Sequence, residues 1–174
     1  VNYLTEWDEV LIPDLPGMGD SVWVNAESAG FDEYLAAIAE FLRYQGWGQF
    51  DLVGYSFGGL LAMHLAELSD APFKVQRLGL IEPAALLASN PELLIHRAEE
   101  YGDQAELLMS GKADAVLGFL DAVSPFRDKA GDDLVVRRLS ENLAGLGYGV
   151  RAVSQALTRY SDHYANWISP VPGM

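Results

Sequence analysis

Residues 54 to 58 read Gly54-Tyr55-Ser56-Phe57-Gly58, with the apolar run Phe50-Asp51-Leu52-Val53 directly before them and a helical run, Leu60 to Leu68, directly after. A chain that passes from strand to helix within so few residues has little conformational choice. The glycines two residues either side of the serine predict a turn so tight that a Cβ at either would meet neighbouring backbone. They also predict a Ser56 in a sparsely populated conformation, positive φ or similar, with its hydroxyl presented above the end of the sheet. Gly59 adds a further point of close helix-to-sheet approach. A serine so placed suits nucleophilic chemistry, provided that a histidine takes its proton and an acid orients that histidine. The backbone N–H of Phe57, at the positive end of the following helix, is aimed where an oxyanion would form.

A second segment agrees. Glu9 to Asp14 reads as a short strand running into Leu15-Pro16-Gly17-Met18-Gly19-Asp20-Ser21, a loop dense in glycine and proline. Together the two segments resemble the α/β-hydrolase superfamily, over Val10 to about Ala85, with Gly54 to Gly58 as its nucleophile elbow. The resemblance implies a partial parallel α/β-hydrolase sheet with an all-helical cap insertion. It implies a serine hydrolase that acts on a carboxylic ester or thioester through an acyl-enzyme, with Ser56 as nucleophile and Phe57 N–H as oxyanion donor. Its expected partner is a small acyl substrate, and no cofactor is expected. Tyr55 and Phe57 also look like the thioesterase domains that release acyl chains from carrier proteins, so an acyl-carrier partner and acyl transfer stay open. A hydrolase-fold protein that binds a ligand without turnover stays open too.

The resemblance offers Glu82, in Ile81-Glu82-Pro83, as the orienting acid, because carrier-protein thioesterases use the position after this strand. A strand-end carboxylate that merely faces solvent is an equal reading. Asp14 matches a family position as well, and its expected work is to tie its loop through backbone N–H groups. None of the three histidines fits the base. His64 lies two turns into the helix after the serine, while His96 and His163 belong to the helical insertion. The family order of serine, acid, histidine puts the base beyond Met174, and a second oxyanion donor before the Val10 strand. The chain is therefore expected to be an internal fragment, not competent on its own.

The remaining organisation follows from periodicity and breakers. Leu35, Ile38, Phe41 and Leu42 recur at helical spacing between Asp32 and Gln45, predicting a helix that links parallel strands at Val10 and Leu52, side by side. Val75 to Ile81 is the third strand. Asn90-Pro91-Glu92 opens a helix expected to stop at Gly102. Further helices are expected around residues 105–110, 113–122, 133–143 and 150–160. Residues 1–89 thus read as a partial core, 90–167 as a helical cap or lid, and 168–174 as the start of a return to the core. Within the cap, Leu107, Leu108, Met109, Leu117, Phe119 and Leu120 either line an acyl pocket or form the cap's own core, the second being the plainer reading.

Charge excludes one class of partner. A net charge of −14, with eleven scattered Lys and Arg, does not suit a phosphate backbone, so no nucleic acid is expected. The absence of cysteine removes disulfides, a thiol nucleophile and Cys-based zinc sites, and it leaves the redox compartment open. No His and carboxylate set stands at metal-ligand spacing. No run reaches the roughly 18 apolar residues of a membrane span.

Overall fold

Two parallel strands, β1 (Gln49–Tyr55) and β2 (Lys74–Ile81), form the sheet on which the rest is arranged. The computed structural model describes residues 7–22, 29–85, 87, 90–112 and 114–173. The strands pair from Gln49↔Lys74 to Tyr55↔Ile81, and Gln76 is an extra residue that shifts the register between Phe50 and Asp51. Beyond that bulge the Arg77 guanidinium reaches the Asp51 carboxylate across the ladder, with Nε to Oδ2 at 3.0 Å. Because side chains alternate along a strand, Phe50, Leu52, Val75, Leu78 and Leu80 share one face. That face packs on Ile38 and Leu42 of α1 (Phe31–Tyr44) and on Ala62 and Leu65 of α2 (Phe57–Glu67). The opposite face carries Val53, Tyr55 and Ile81, which are 56%, 62% and 53% exposed.

The helix expected from residue 32 to 45 is α1, started by the Glu33 carboxylate accepting the Gly30 N–H at 2.9 Å and closed before Gly46 at φ 74°. The strand expected at residues 9–14 is not formed. This segment has no ladder partner among the described residues, and β1 pairs with β2 rather than with it. Val10 and Ile12 stay exposed, so alternation gives no buried face to fix a register, and Pro13 lacks the N–H a ladder would use. The segment is held by side chains instead: Leu11 and Leu15 pack on the sheet-side core, and Trp7 Nε1 lies 3.5 Å from Asp51 Oδ2.

Beyond β2 the chain is helical: α3 (Pro91–Met109), α4 (Ala115–Val123), α5 (Asp132–Ser140), α6 (Leu143–Arg159) and α7 (Ser161–Ala165), with a 3-10 turn at Lys129–Gly131. Asn90 caps α3, its Oδ1 accepting the Glu92 N–H at 2.8 Å, as the Asn-Pro-Glu signal predicts. The expected stop at Gly102 does not occur. Leu94, Ala98, Ala105 and Leu108 lie on one buried face at helical spacing, and packing them outweighs the roughly 1 kcal/mol that an interior glycine costs. Likewise α6 begins at Leu143, seven residues before the predicted helix at Val150, and carries three glycines through its first turns. Gly147 lets α3 approach, since a Cβ there would stand 2.6 Å from Met109 Cγ.

The main core joins both halves of the sequence. Phe31, Tyr34, Leu60, Leu61 and Met63 from α1 and α2 pack with Leu94, Ala98, Val153, Ala156, Leu157 and Tyr164 from α3, α6 and α7. Leu108 and Leu120 are buried in a smaller cluster among the helices, with Met109 and Phe119 packed against it, while Met109 also lines an open surface cavity together with Leu107. Leu107 and Leu117 are exposed. The chain returns to the sheet near its end, where the Leu78 N–H donates to Pro172 O at 2.9 Å and Leu78 bridges Gly173 in parallel.

Candidate active site

The junction of β1 and α2 is as tight as its glycines require. Ser56 has φ 51° and ψ −116°, a positive φ that non-glycine residues seldom hold. At Gly54 an added Cβ would stand 2.3 Å from Gly58 O and 2.7 Å from Gly59 Cα, and at Gly59 it would stand 2.9 Å from Pro83 Cβ. Gly58 differs from expectation, because a Cβ there would point into open space. The close contact is made by its carbonyl, which any residue has. Of the glycine requirements read from the sequence, those at Gly54 and Gly59 stand, and that at Gly58 does not.

Ser56 is fixed through its backbone. Its N–H donates to Ile81 O at 3.1 Å, and its carbonyl accepts from Gly59 N at 3.0 Å, Leu60 N at 3.4 Å and Ala84 N at 3.1 Å. Phe57 is the first residue of α2, so its N–H has no carbonyl of the preceding helical turn to bond and sits at the positive end of the helix dipole. The Phe57 ring points into the core and meets the Tyr34 ring edge-on, centroids 5.0 Å apart. Burial pushes the Tyr34 phenol up to about 12, opposed by the charge of Arg151. Tyr34 is thus a neutral wall for Phe57.

Glu82 follows β2 as Ser56 follows β1, so the ladder brings the two to one end of the sheet. Its backbone is also unusual, at φ 41°, and the residue is exposed. Asp14 does what a turn aspartate is expected to do: its Oδ2 accepts the Asp20 N–H at 3.2 Å and its carbonyl accepts the Ser21 hydroxyl at 2.9 Å. The loop it ties is docked on the helices, where Asn142 Nδ2 donates to Gly17 O and a Cβ on Gly145 would meet that same oxygen.

None of the three histidines is hydrogen-bonded to Ser56, and each has neighbours of its own. His64 lies eight residues beyond Ser56, roughly 12 Å along the helix, and its Nε2 is 3.0 Å from the Tyr164 hydroxyl. Phe31, Tyr160, His163 and Tyr164 surround its ring. Burial first, then the neighbouring His163, lowers its pKa to about 4. His163 Nε2 lies 3.1 Å from Glu67 Oε2, close enough for an ion pair but outside hydrogen-bond geometry. His96 lies on the surface of α3 beside Glu99 and Glu100. Among the described residues no group of His, Cys, Asp and Glu is placed to hold a metal, and no helix is long and apolar enough to cross a membrane.

Sequence reasoning did not find Pro83 and Ala84, which brace the serine turn from the neighbouring strand. Their contribution is a ring and a backbone N–H, and no residue pattern marks either.

Comparison with known proteins bears on the family and the fold. A family model described as alpha/beta hydrolase fold matches residues 8–168. Lipase LipV of Mycobacterium tuberculosis is 42% identical over 78 residues, which cover 45% of this chain and 28% of the lipase. The 2-succinyl-6-hydroxy-2,4-cyclohexadiene-1-carboxylate synthase of Serratia proteamaculans is 48% identical over 61 residues, 35% of this chain and 23% of the synthase. The matched stretches thus span about a quarter of the length of each curated relative.

Proposed function

Since the chain belongs to the α/β hydrolase fold family, we propose that it is the nucleophile-bearing part of a serine hydrolase acting on carboxylic esters or thioesters. The observation that carries this reading is Ser56 at φ 51° between a strand and a helix, followed at once by the first N–H of that helix. In the proposed reaction Ser56 Oγ attacks the acyl carbon as a base removes its proton. The carbonyl oxygen becomes an oxyanion facing the Phe57 N–H. Collapse expels the alcohol or thiol, which takes the proton, and water then releases the acid from the acyl-serine. Glu82 is proposed as the acid that orients the base, on the ground that it shares the sheet end with Ser56. The similarity to a protein named a lipase supports an ester substrate. Similarity to a protein named a synthase is the reason to include substrates other than simple esters in any assay.

The base is not assigned to any of the chain's three histidines, for the engagements described above. The 174-residue polypeptide on its own is therefore expected to hydrolyse p-nitrophenyl esters at close to background. Fluorophosphonate labelling of the full-length gene product, with the modified residue located by mass spectrometry, tests the assignment. Labelling at Ser56 that disappears in Ser56→Ala is the expected result. A folded protein with an unreactive Ser56 would favour the reading as a ligand-binding member without turnover.

A further inference from the structure

We propose that Ala84, with Pro83 beside it, is a positioning residue: it aims the Phe57 N–H at the oxyanion by holding the other end of the same peptide unit. The inference rests on Ser56 being the nucleophile. The carbonyl of Ser56 and the N–H of Phe57 belong to one planar peptide group, so fixing the direction of the carbonyl fixes the direction of the N–H. The carbonyl accepts from Gly59 and Leu60, which belong to its own helix, and from Ala84 N at 3.1 Å, which belongs to the neighbouring strand's exit. The Ala84 bond ties the peptide plane to the sheet rather than to the helix alone.

Two further contacts prevent the pair from sliding. Ser56 N–H donates to Ile81 O at 3.1 Å, so the serine is bonded to the β2 exit both before and after its own Cα. Pro83 is seated on Gly59, where an added Cβ would stand 2.9 Å from Pro83 Cβ and 3.0 Å from Pro83 Cα. A backbone at φ 51° persists only when its surroundings over-determine it, and these contacts supply that condition. An oxyanion donor acts through preorganised direction, so releasing it reduces the stabilisation of the transition state more than substrate binding.

The test compares Ala84→Pro, which deletes the donor, with Ala84→Gly, which keeps it, and with Ser56→Ala, all in the full-length gene product. Ala84→Pro is expected to lower kcat about ten- to a hundredfold with KM within about twofold, and Ala84→Gly to recover most of that loss. Gly59→Ala should mimic the defect, and Pro83→Gly in the same protein should partly relieve it. Full kcat in Ala84→Pro together with an inactive Ser56→Ala overturns the positioning inference alone. Full kcat in Ser56→Ala overturns the nucleophile assignment beneath it. Should Ala84→Pro not fold, hydrogen–deuterium exchange at the Ala84 amide of the unmodified chain decides: protection is expected, and exchange at the rate of a free amide overturns the proposal.

Discussion

Ser56 and Glu82 stand one residue past a paired position on adjacent parallel strands, Tyr55↔Ile81, and both hold positive φ, 51° and 41°. They are the non-glycine residues that do so among the described part of the chain. Each is the first residue after its strand, where the chain must turn out of the ladder. The two turns are bonded to each other, Ser56 N–H to Ile81 O and Ala84 N–H to Ser56 O. A change at either turn is therefore expected to be felt at the other.

Backbone strain at Ser56 has a direct stability consequence. Ser56→Gly places at φ 51° a residue with no Cβ penalty, whereas Ser56→Ala keeps the penalty. Ser56→Gly is expected to be more stable than Ser56→Ala by about 1 kcal/mol. Paired thermal or urea denaturation curves measure the difference, and equal stabilities would argue against a strained serine.

The glycines of the turn are not equivalent. Gly54→Ala would drive a Cβ to within 2.3 Å of Gly58 O, backbone that has no side chain to move aside. It is expected to cost about 3 kcal/mol or more, or to prevent folding. Gly58→Ala meets open space inside α2 and is expected to be neutral or stabilising by up to about 1 kcal/mol. Denaturant midpoints of the two variants should fall on opposite sides of, or far below and close to, the parent value.

Burial of His64 makes stability depend on pH. Its folded pKa is lowered to about 4 from an ordinary 6.5, so between those values the unfolded chain binds the extra proton. The stabilisation is complete above about pH 6.5 and is lost as the pH falls toward 4. By the size of the shift it amounts to at most about 3 kcal/mol. The groups around the ring that bear on its charge are His163, Tyr160, Tyr164 and, at longer range, Asp32. Urea midpoints at pH 7 and 4.5 should differ less in His64→Gln than in the parent.

If Glu82 orients the base, Glu82→Gln should lower kcat about 10²- to 10⁴-fold in the full-length gene product, with KM nearly unchanged. Retained turnover would remove the carboxylate from the mechanism and leave Glu82 with its backbone role.

What the sequence made legible was whatever a residue type encodes locally. The serine turn, the Asp14 loop and the Asn90 cap each depend on side chains, or on the absence of one, at fixed spacing. Two misreadings share a cause in tertiary context. Gly102 looked like a helix end, yet the buried stripe from Leu94 to Leu108 carries the helix through it. Val10 and Ile12 looked like a strand, yet strand propensity needs a paired neighbour and a buried face, and among the described residues the segment finds no ladder partner while both side chains stay exposed. The positive φ of Glu82 and the amide of Ala84 were invisible for a different reason: they are backbone features, and glutamate and alanine signal nothing about them.

The exposed apolar residues on the second face of the sheet bear on how the molecule behaves as a colloid. Val53, Tyr55 and Ile81 form a patch that favours contact between copies, while a net charge of −14 keeps copies apart. The repulsion is long-ranged only at low ionic strength, since its reach shrinks from about 30 Å at 0.01 M salt to about 10 Å at 0.1 M. Light scattering by the polypeptide should accordingly grow as salt is added and subside on dilution into low-salt buffer, the reverse of what salt does to particles held together by opposite charges.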